Sequence, residues 1–348
     1  MSASRWRLAG SLALVALGVP VAACAAQTAS PHDERPFSGP LVMRNDSPLY
    51  QPLGSAALPA RAAVAAPGHW SAELGYLDSN NIVDQNNSAV TDRVIVDGEM
   101  QRVELTLRYG LRDRWELGAT VPYLAFVGGY MDDFIDSFEG AFGLTTPRAR
   151  RIRDAGQVRY LFRINGQNLI DRDAAFQGLG DLPLFVTYRW RNEPGGLLPR
   201  VALRGVLKCP TATDPLLGNG RVDAGLGVTA EQPLGRRVRL LGALDVTSAH
   251  LPLALKTVDI DPVVVSGWLG FEQFLTDRAS WKAQISLATN PYPKFDRDMT
   301  TLNTPPMGIG LGWVYRLFPK TAVKLAVIEN LDQAWPDFSW TASVQADL

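Results

Sequence analysis

The strongest constraint on this chain is an alternation of apolar and polar residues. It recurs in stretches of about ten from Gly68 to Leu348, which is the pattern of a half-buried strand. Val103, Leu105, Leu107 and Tyr109 are apolar, and Arg102, Glu104, Thr106 and Arg108 among them are polar. Neighbouring side chains of a strand point to opposite faces, so the two sides of this ribbon meet different surroundings. The next stretch sets Trp115, Leu117, Ala119, Val121 and Tyr123 against Glu116, Gly118 and Thr120, with Leu111 to Arg114 as the tight turn before it.

The rule repeats along the chain. Apolar faces are formed by Leu184, Val186, Tyr188 and Trp190, by Val201, Leu203 and Leu207, and by Val222, Ala224, Leu226 and Val228. Further faces are Val238, Leu240, Leu244 and Val246, then Val263, Val265, Leu269 and Phe271, then Trp281, Ala283, Ile285 and Leu287. Met307, Ile309, Leu311, Trp313 and Tyr315 follow, then Val323, Leu325 and Val327. The final segment alternates Phe338, Trp340, Ala342, Val344, Ala346 and Leu348 against Ser339, Thr341, Ser343, Gln345 and Asp347. It resembles the assembly signal of outer-membrane barrels, whose usual last residue is aromatic where Leu348 stands here.

Ten-residue strands rising about 3.3 Å per residue and tilted near 45° span roughly 25 Å, the apolar height of a membrane barrel. Short connections near 110–114, 191–199, 232–237, 274–280 and 317–320 separate mostly longer ones. Membrane barrels pair short periplasmic turns with long extracellular loops, so both termini fall on the periplasmic side. The fold class read from this is all-β: a transmembrane, antiparallel, up-and-down β-barrel of about 12 strands. Val158 to Asp171 is read as a loop hairpin turning at Asn165-Gly166, because Arg159, Arg163 and Asp171 flank it and Asn-Gly is the favoured tight turn; placing it in the membrane would give fourteen strands. Aromatic residues near strand ends, such as Trp70, Tyr109, Trp115, Trp190 and Trp340, suit interfacial girdles. The competing architecture, a soluble β-sandwich or closed barrel, would turn the apolar faces inward.

Composition agrees without deciding. A net charge of −1 with 20% charged residues in 348 offers no basic surface for nucleic acid, and mean hydropathy of −0.02 is too mild for a bundle of membrane helices. Arg5 and Arg7 precede the apolar run Leu8 to Ala23, so residues 1–25 read as a secretory signal peptide. Two cleavage sites compete: Ala23-Cys24-Ala25 suits a cut before Ala26, while Val21-Ala22-Ala23-Cys24 resembles a lipobox in which Cys24 is lipidated. Cys209 would remain as the one thiol, which excludes an internal disulfide framework. Residues 26–67, rich in Pro, Ala and Ser and without periodicity, are read as an extended periplasmic segment or plug, and 68–348 as the barrel.

The motifs Gly39-Pro40-Leu41-Val42-Met43-Arg44-Asn45-Asp46-Ser47-Pro48-Leu49, Asp97-Gly98-Glu99, Leu107-Arg108-Tyr109-Gly110, Arg114-Trp115-Glu116-Leu117-Gly118 and Gly178-Leu179-Gly180-Asp181 resemble, in that order, an uncharacterised proteobacterial outer-membrane barrel family, domain-of-unknown-function family 3187. The resemblance covers nearly the whole mature chain and implies an envelope barrel with no established activity. Leu207-Lys208-Cys209-Pro210-Thr211 also resembles a strand-end motif of barrels linked to aromatic-compound degradation, where Gly usually follows and Ala212 stands here.

The register turns Arg102, Arg108, Arg189, Arg204, Lys208, Arg239, Lys282, Arg316 and Lys324 toward the lumen, with Glu104, Glu116, Asp181, Asp223, Glu231, Asp245, Glu272 and Asp347 facing them. Mixed signs at close quarters pair rather than build a field of one sign, so strong ion selectivity is not expected. Two readings stand: a salt-bridged wall, or a polar passage for a small solute. Gly308, Gly310 and Gly312 share one lumen face and Gly225 and Gly227 another, which lets a second backbone approach or relieves curvature.

The loop after Tyr123 suggests a short amphipathic helix through Met131, Ile135, Phe138 and Phe142. Arg148, Arg150, Arg151 and Arg153 after it pair with its acids or bind lipopolysaccharide phosphates. Ser248 and His250 share the outward face at a strand end, as in outer-membrane phospholipases, but the adjoining loop offers Asp259 and Asp261 where those enzymes use Asn. No cofactor or metal motif is seen. The function expected is a pore-like or plugged channel for a small solute, ahead of a structural envelope barrel and of a lipid hydrolase. The partners expected are outer-membrane lipid and lipopolysaccharide, with the barrel-assembly machinery during biogenesis.

Overall fold

Each alternating stretch forms one strand, and each finds its neighbours in chain order because consecutive antiparallel strands need only a turn between them. The structure, a computed structural model, describes residues 37–54, 59–87, 91–132, 137, 156–191, 198–292 and 299–348. Its strands are β1 (Trp70–Asn87), β2 (Asp92–Arg112), β3 (Trp115–Val127), β4 (Arg159–Ile164), β5 (Gln167–Arg172), β6 (Phe176–Leu179), β7 (Leu182–Arg191) and β8 (Arg200–Cys209). They continue as β9 (Asp223–Leu234), β10 (Val238–Ser248), β11 (Val263–Phe274), β12 (Ala279–Ala288), β13 (Met307–Phe318), β14 (Thr321–Asn330) and β15 (Phe338–Asp347).

The last strand pairs with the first, from Ser71 opposite Asp347 to Asn80 opposite Phe338, and this closes the sheet into an antiparallel barrel of twelve staves. β6 and β7 together make one stave. Ala119 to Tyr123 on β3 face Leu184 to Leu179 on the partner, which carries one residue more. That is a β-bulge, and it falls where Pro122 and Pro183 have no N–H to give a ladder. The bulge leaves Asp181 turned inward and buried.

β4 and β5 form the hairpin read at Asn165-Gly166, both residues having positive φ, as a tight primed turn requires. It pairs with Arg93 to Asp97 on β2, above the level at which β15 leaves β1, so the twelve-strand count stands and fourteen is excluded. Met131, Asp132 and Ser137 are helical; the other residues of the proposed amphipathic helix, the four arginines after it, Cys24 and the signal segment lie outside the described residues.

The outer face is apolar. Leu226 is 74% and Leu269 70% exposed, and Trp70 with Tyr109, Trp115 with Tyr188, and Phe271 with Trp281 form ring pairs at 4.7, 4.7 and 5.3 Å near the short-turn end. Water cannot solvate such a belt, whereas lipid can, and a closed sheet leaves no strand edge unpaired in hydrocarbon. The chain is therefore an outer-membrane β-barrel.

Candidate functional site

The lumen is occupied by the chain's own N-terminal segment. Residues 37–54 climb from the short-turn end along β11 to β13, and 59–66 descend past β9 and β2 to enter β1. On the way up, the Leu41 N–H donates to Gln284 Oε1 at 2.9 Å, the Ser38 hydroxyl donates to Glu272 at 2.5 Å, and Lys282 donates to the Gly39 carbonyl. At the top, the Tyr292 hydroxyl donates to the Leu49 carbonyl and the Tyr50 hydroxyl to that of Thr301, both at 2.6 Å. Burial pushes both phenols well above their ordinary pKa, so they remain donors. On the way down, Ala62 N–H donates to Glu231 at 2.7 Å and Ala65 N–H to Glu116 at 2.8 Å.

None of these contacts is a β-ladder. The segment's extended backbone is satisfied by wall side chains, which explains why its sequence shows no period: no face of it repeats against the sheet. The wall glycines fit it only in part. A Cβ on Gly310 would meet Met43 Sδ at 2.8 Å and one on Gly312 would meet Leu41 at 2.5 Å, while Gly308 makes room for the Trp335 ring and Gly227 for Asp245.

Charged residues bind the strap and one another. Arg102 grips Asp46 through two nitrogens, at 2.6 and 2.9 Å, and Arg44 reaches Glu104 at 2.8 Å. Glu73 collects Lys324 at 2.8 Å, Arg108 at 3.6 Å and the Ser343 hydroxyl. Lys208, fully buried, lies 2.7 Å from Asp181 and 2.8 Å from Asp223. Lys282 lies 3.3 Å from Glu272. Arg204 stacks over Phe185 and Arg239 over Phe274, the latter also donating to Ser38. Arg189 and Arg316 are less buried and sit at the short-turn rim, Arg189 donating to the Asp113 carbonyl. Asp245 lines a cavity beside the strap.

Three partners escaped the sequence reading. Glu73 was legible, since Ser71, Glu73 and Gly75 alternate with Ala72, Leu74 and Tyr76. Arg44 and Asp46 were not, because their segment has no repeating face.

Ser248 and His250 do not assemble a nucleophile and base. Instead of sharing an outward face, both turn to buried Asp223: the Ser248 hydroxyl donates to its Oδ1 at 3.3 Å, and His250 Nδ1 lies 2.5 Å from the same atom. Asn219 donates to the other oxygen of Asp223 and to the strap's Pro52 carbonyl. The cluster therefore holds the β8–β9 loop against the strap.

A family model described as protein of unknown function (DUF3187) matches residues 16–345. The chain belongs to that family. Among solved structures, this DUF3187 protein is similar to an outer-membrane channel from Pseudomonas putida F1, with 14% identity and a TM-score of 0.54 over 83% of this chain and 99% of that one. It also matches the NanC porin at 8% identity and TM-score 0.45, over 80% and 100% of the two chains. A third match is the P. putida toluene transporter TodX, at 11% and 0.38 over 86% and 96%. The first of these likenesses shows the shared barrel fold. No curated protein matches the chain significantly.

Proposed function

We propose that this DUF3187 barrel is a plugged channel, passing a small solute when its internal strap moves, and that it carries no catalytic activity. The observation that carries the reading is the manner of attachment: the strap touches the wall through side chains and breaks no ladder bond on leaving. Because the sheet closes on itself, a segment in the lumen has no edge to join, and its departure costs side-chain contacts only. Export through a signal at residues 1–25 and contact with lipopolysaccharide belong to the same reading.

A structural envelope barrel is the second reading, favoured by the many buried ion pairs. Paired cysteines at Met43 and Ser286, whose side chains touch at 3.8 Å, in a Cys209→Ser background, separate the two. Reconstituted in planar bilayers, the channel is expected to be silent when oxidised and to show openings after reductant. Equal silence in both states across a range of voltages and solutes would favour the structural barrel.

A further inference from the structure

Under the extracellular loops, between strap residues 43–53 and the inner wall of β10 to β12, lies a cavity of about 100 Å³. Met43, Leu53, Val264, Trp268 and Trp335 give it a mainly apolar lining, with Asp245 as a polar anchor. An apolar cavity of about 150 Å³ holds benzene, so this one suits a single ring or its equivalent when a side chain yields slightly.

The polar groups narrow the choice. The other charges at the cavity, Arg102 with Asp46 and Arg44 with Glu104, are paired across the strap. Asp245 is buried in the wall beside the cavity, with the Arg204 guanidinium as its counter-charge. A buried carboxylate favours a ligand that brings a donor and disfavours an anion. Trp268 and Trp335 hold indole N–H groups buried without an acceptor among the described residues, and a buried unpaired donor costs about 1–3 kcal/mol. A ligand oxygen would satisfy either after a small ring rotation. A hydroxyl donates and accepts through one atom and stays neutral.

We infer that this cavity binds a neutral hydroxyl compound of single-ring size, donating to Asp245 and lying against Trp268 and Trp335. The inference rests on the channel reading for its meaning, as the solute held beneath the cap, but its test does not. Isothermal titration of the refolded full chain in detergent, corrected for partition into empty micelles, uses phenol, cyclohexanol, benzene and benzoate as probes. Phenol and cyclohexanol are expected to bind saturably at one site, with benzoate at least tenfold weaker. Val264→Trp fills the space and is expected to abolish binding, its folding checked by heat-modifiable mobility on gels. Asp245→Asn, which keeps the shape, is expected to weaken phenol about tenfold, the loss of a charge-assisted hydrogen bond, and to leave benzene unchanged.

Absence of saturable phenol binding, benzoate binding as well as phenol, or unaltered phenol binding in Asp245→Asn would each overturn the site. A protein that conducts on release of the strap without binding phenol loses the site and keeps the channel. One that binds phenol and never conducts does the reverse.

Discussion

At the extracellular end of the lumen, the strap's Leu49, Tyr50 and Leu53 sit among Phe126, Tyr160, Phe162, Leu217 and Tyr292, all nearly without exposure. At the periplasmic end, the same strap borders a cavity of about 250 Å³ whose wall includes Glu73, Arg108, Glu116 and Lys324. One end is apolar, the other charged. Apolar closure is non-directional and grows with area, so the cap gathers loops and the strap around the β4–β5 hairpin, which is held in register by β2. The charged end relies on paired groups for which water can substitute. Both described ends of the strap lie at the charged side and its apex reaches the apolar one, so in the proposed channel the strap would withdraw toward the periplasm. That movement exposes three large apolar side chains, at roughly 1.5–3 kcal/mol each.

The comparison can be broken first at the cap. Phe162→Ala removes a fully buried ring from the apolar cluster and is expected to destabilise the cap by about 3–5 kcal/mol. Limited proteolysis of the extracellular loops should accelerate strongly while the barrel strands stay protected. Equal proteolysis of wild type and variant would mean that the cap is not one cooperative unit.

A comparable loss is expected at mid-lumen, but of a different kind. Arg102→Ala leaves Asp46 buried without its bidentate partner, which costs about 3–5 kcal/mol. The double change Arg102→Met with Asp46→Leu should recover most of it, as a urea titration with fluorescence readout would show. A cavity mechanism would predict no recovery from removing the second charge.

How much of this was legible follows from the same contrast. The staves were readable because each presents two faces with period two, and the wall charges came with them. The cap was not: Leu49, Leu217, Leu251, Tyr292 and Leu302 come from separate loops and the strap, share no period with Tyr160 and Phe162 of the β4–β5 hairpin, and meet them only in the folded molecule. The strap's own Arg44 and Asp46 were hidden for a related reason, since their partners Glu104 and Arg102 lie some sixty residues away on β2.

Smaller effects sharpen the lower half. Gly312→Ala places a Cβ 2.5 Å from Leu41 and 2.9 Å from the Leu325 carbonyl, an overpacking expected to cost about 1–3 kcal/mol and to raise thiol labelling at Met43→Cys. Unchanged labelling would place Leu41 elsewhere. Lys324→Ala removes one partner of Glu73 while Arg108 and Ser343 remain, so about 1.5–3 kcal/mol is the upper range, and high salt should narrow the difference in urea midpoint.

In a plugged channel the strap must be separable from the barrel that encloses it. Hydrogen–deuterium exchange of the full chain in nanodiscs measures this directly, by following amides of residues 37–66 beside those of the twelve staves. The strap is expected to exchange through its own opening, well before β10 to β14, and to be slowed by the Met43–Ser286 cross-link. Exchange of the strap only in step with the wall strands, unaffected by the cross-link, would show that strap and barrel open as one body and would contradict the channel.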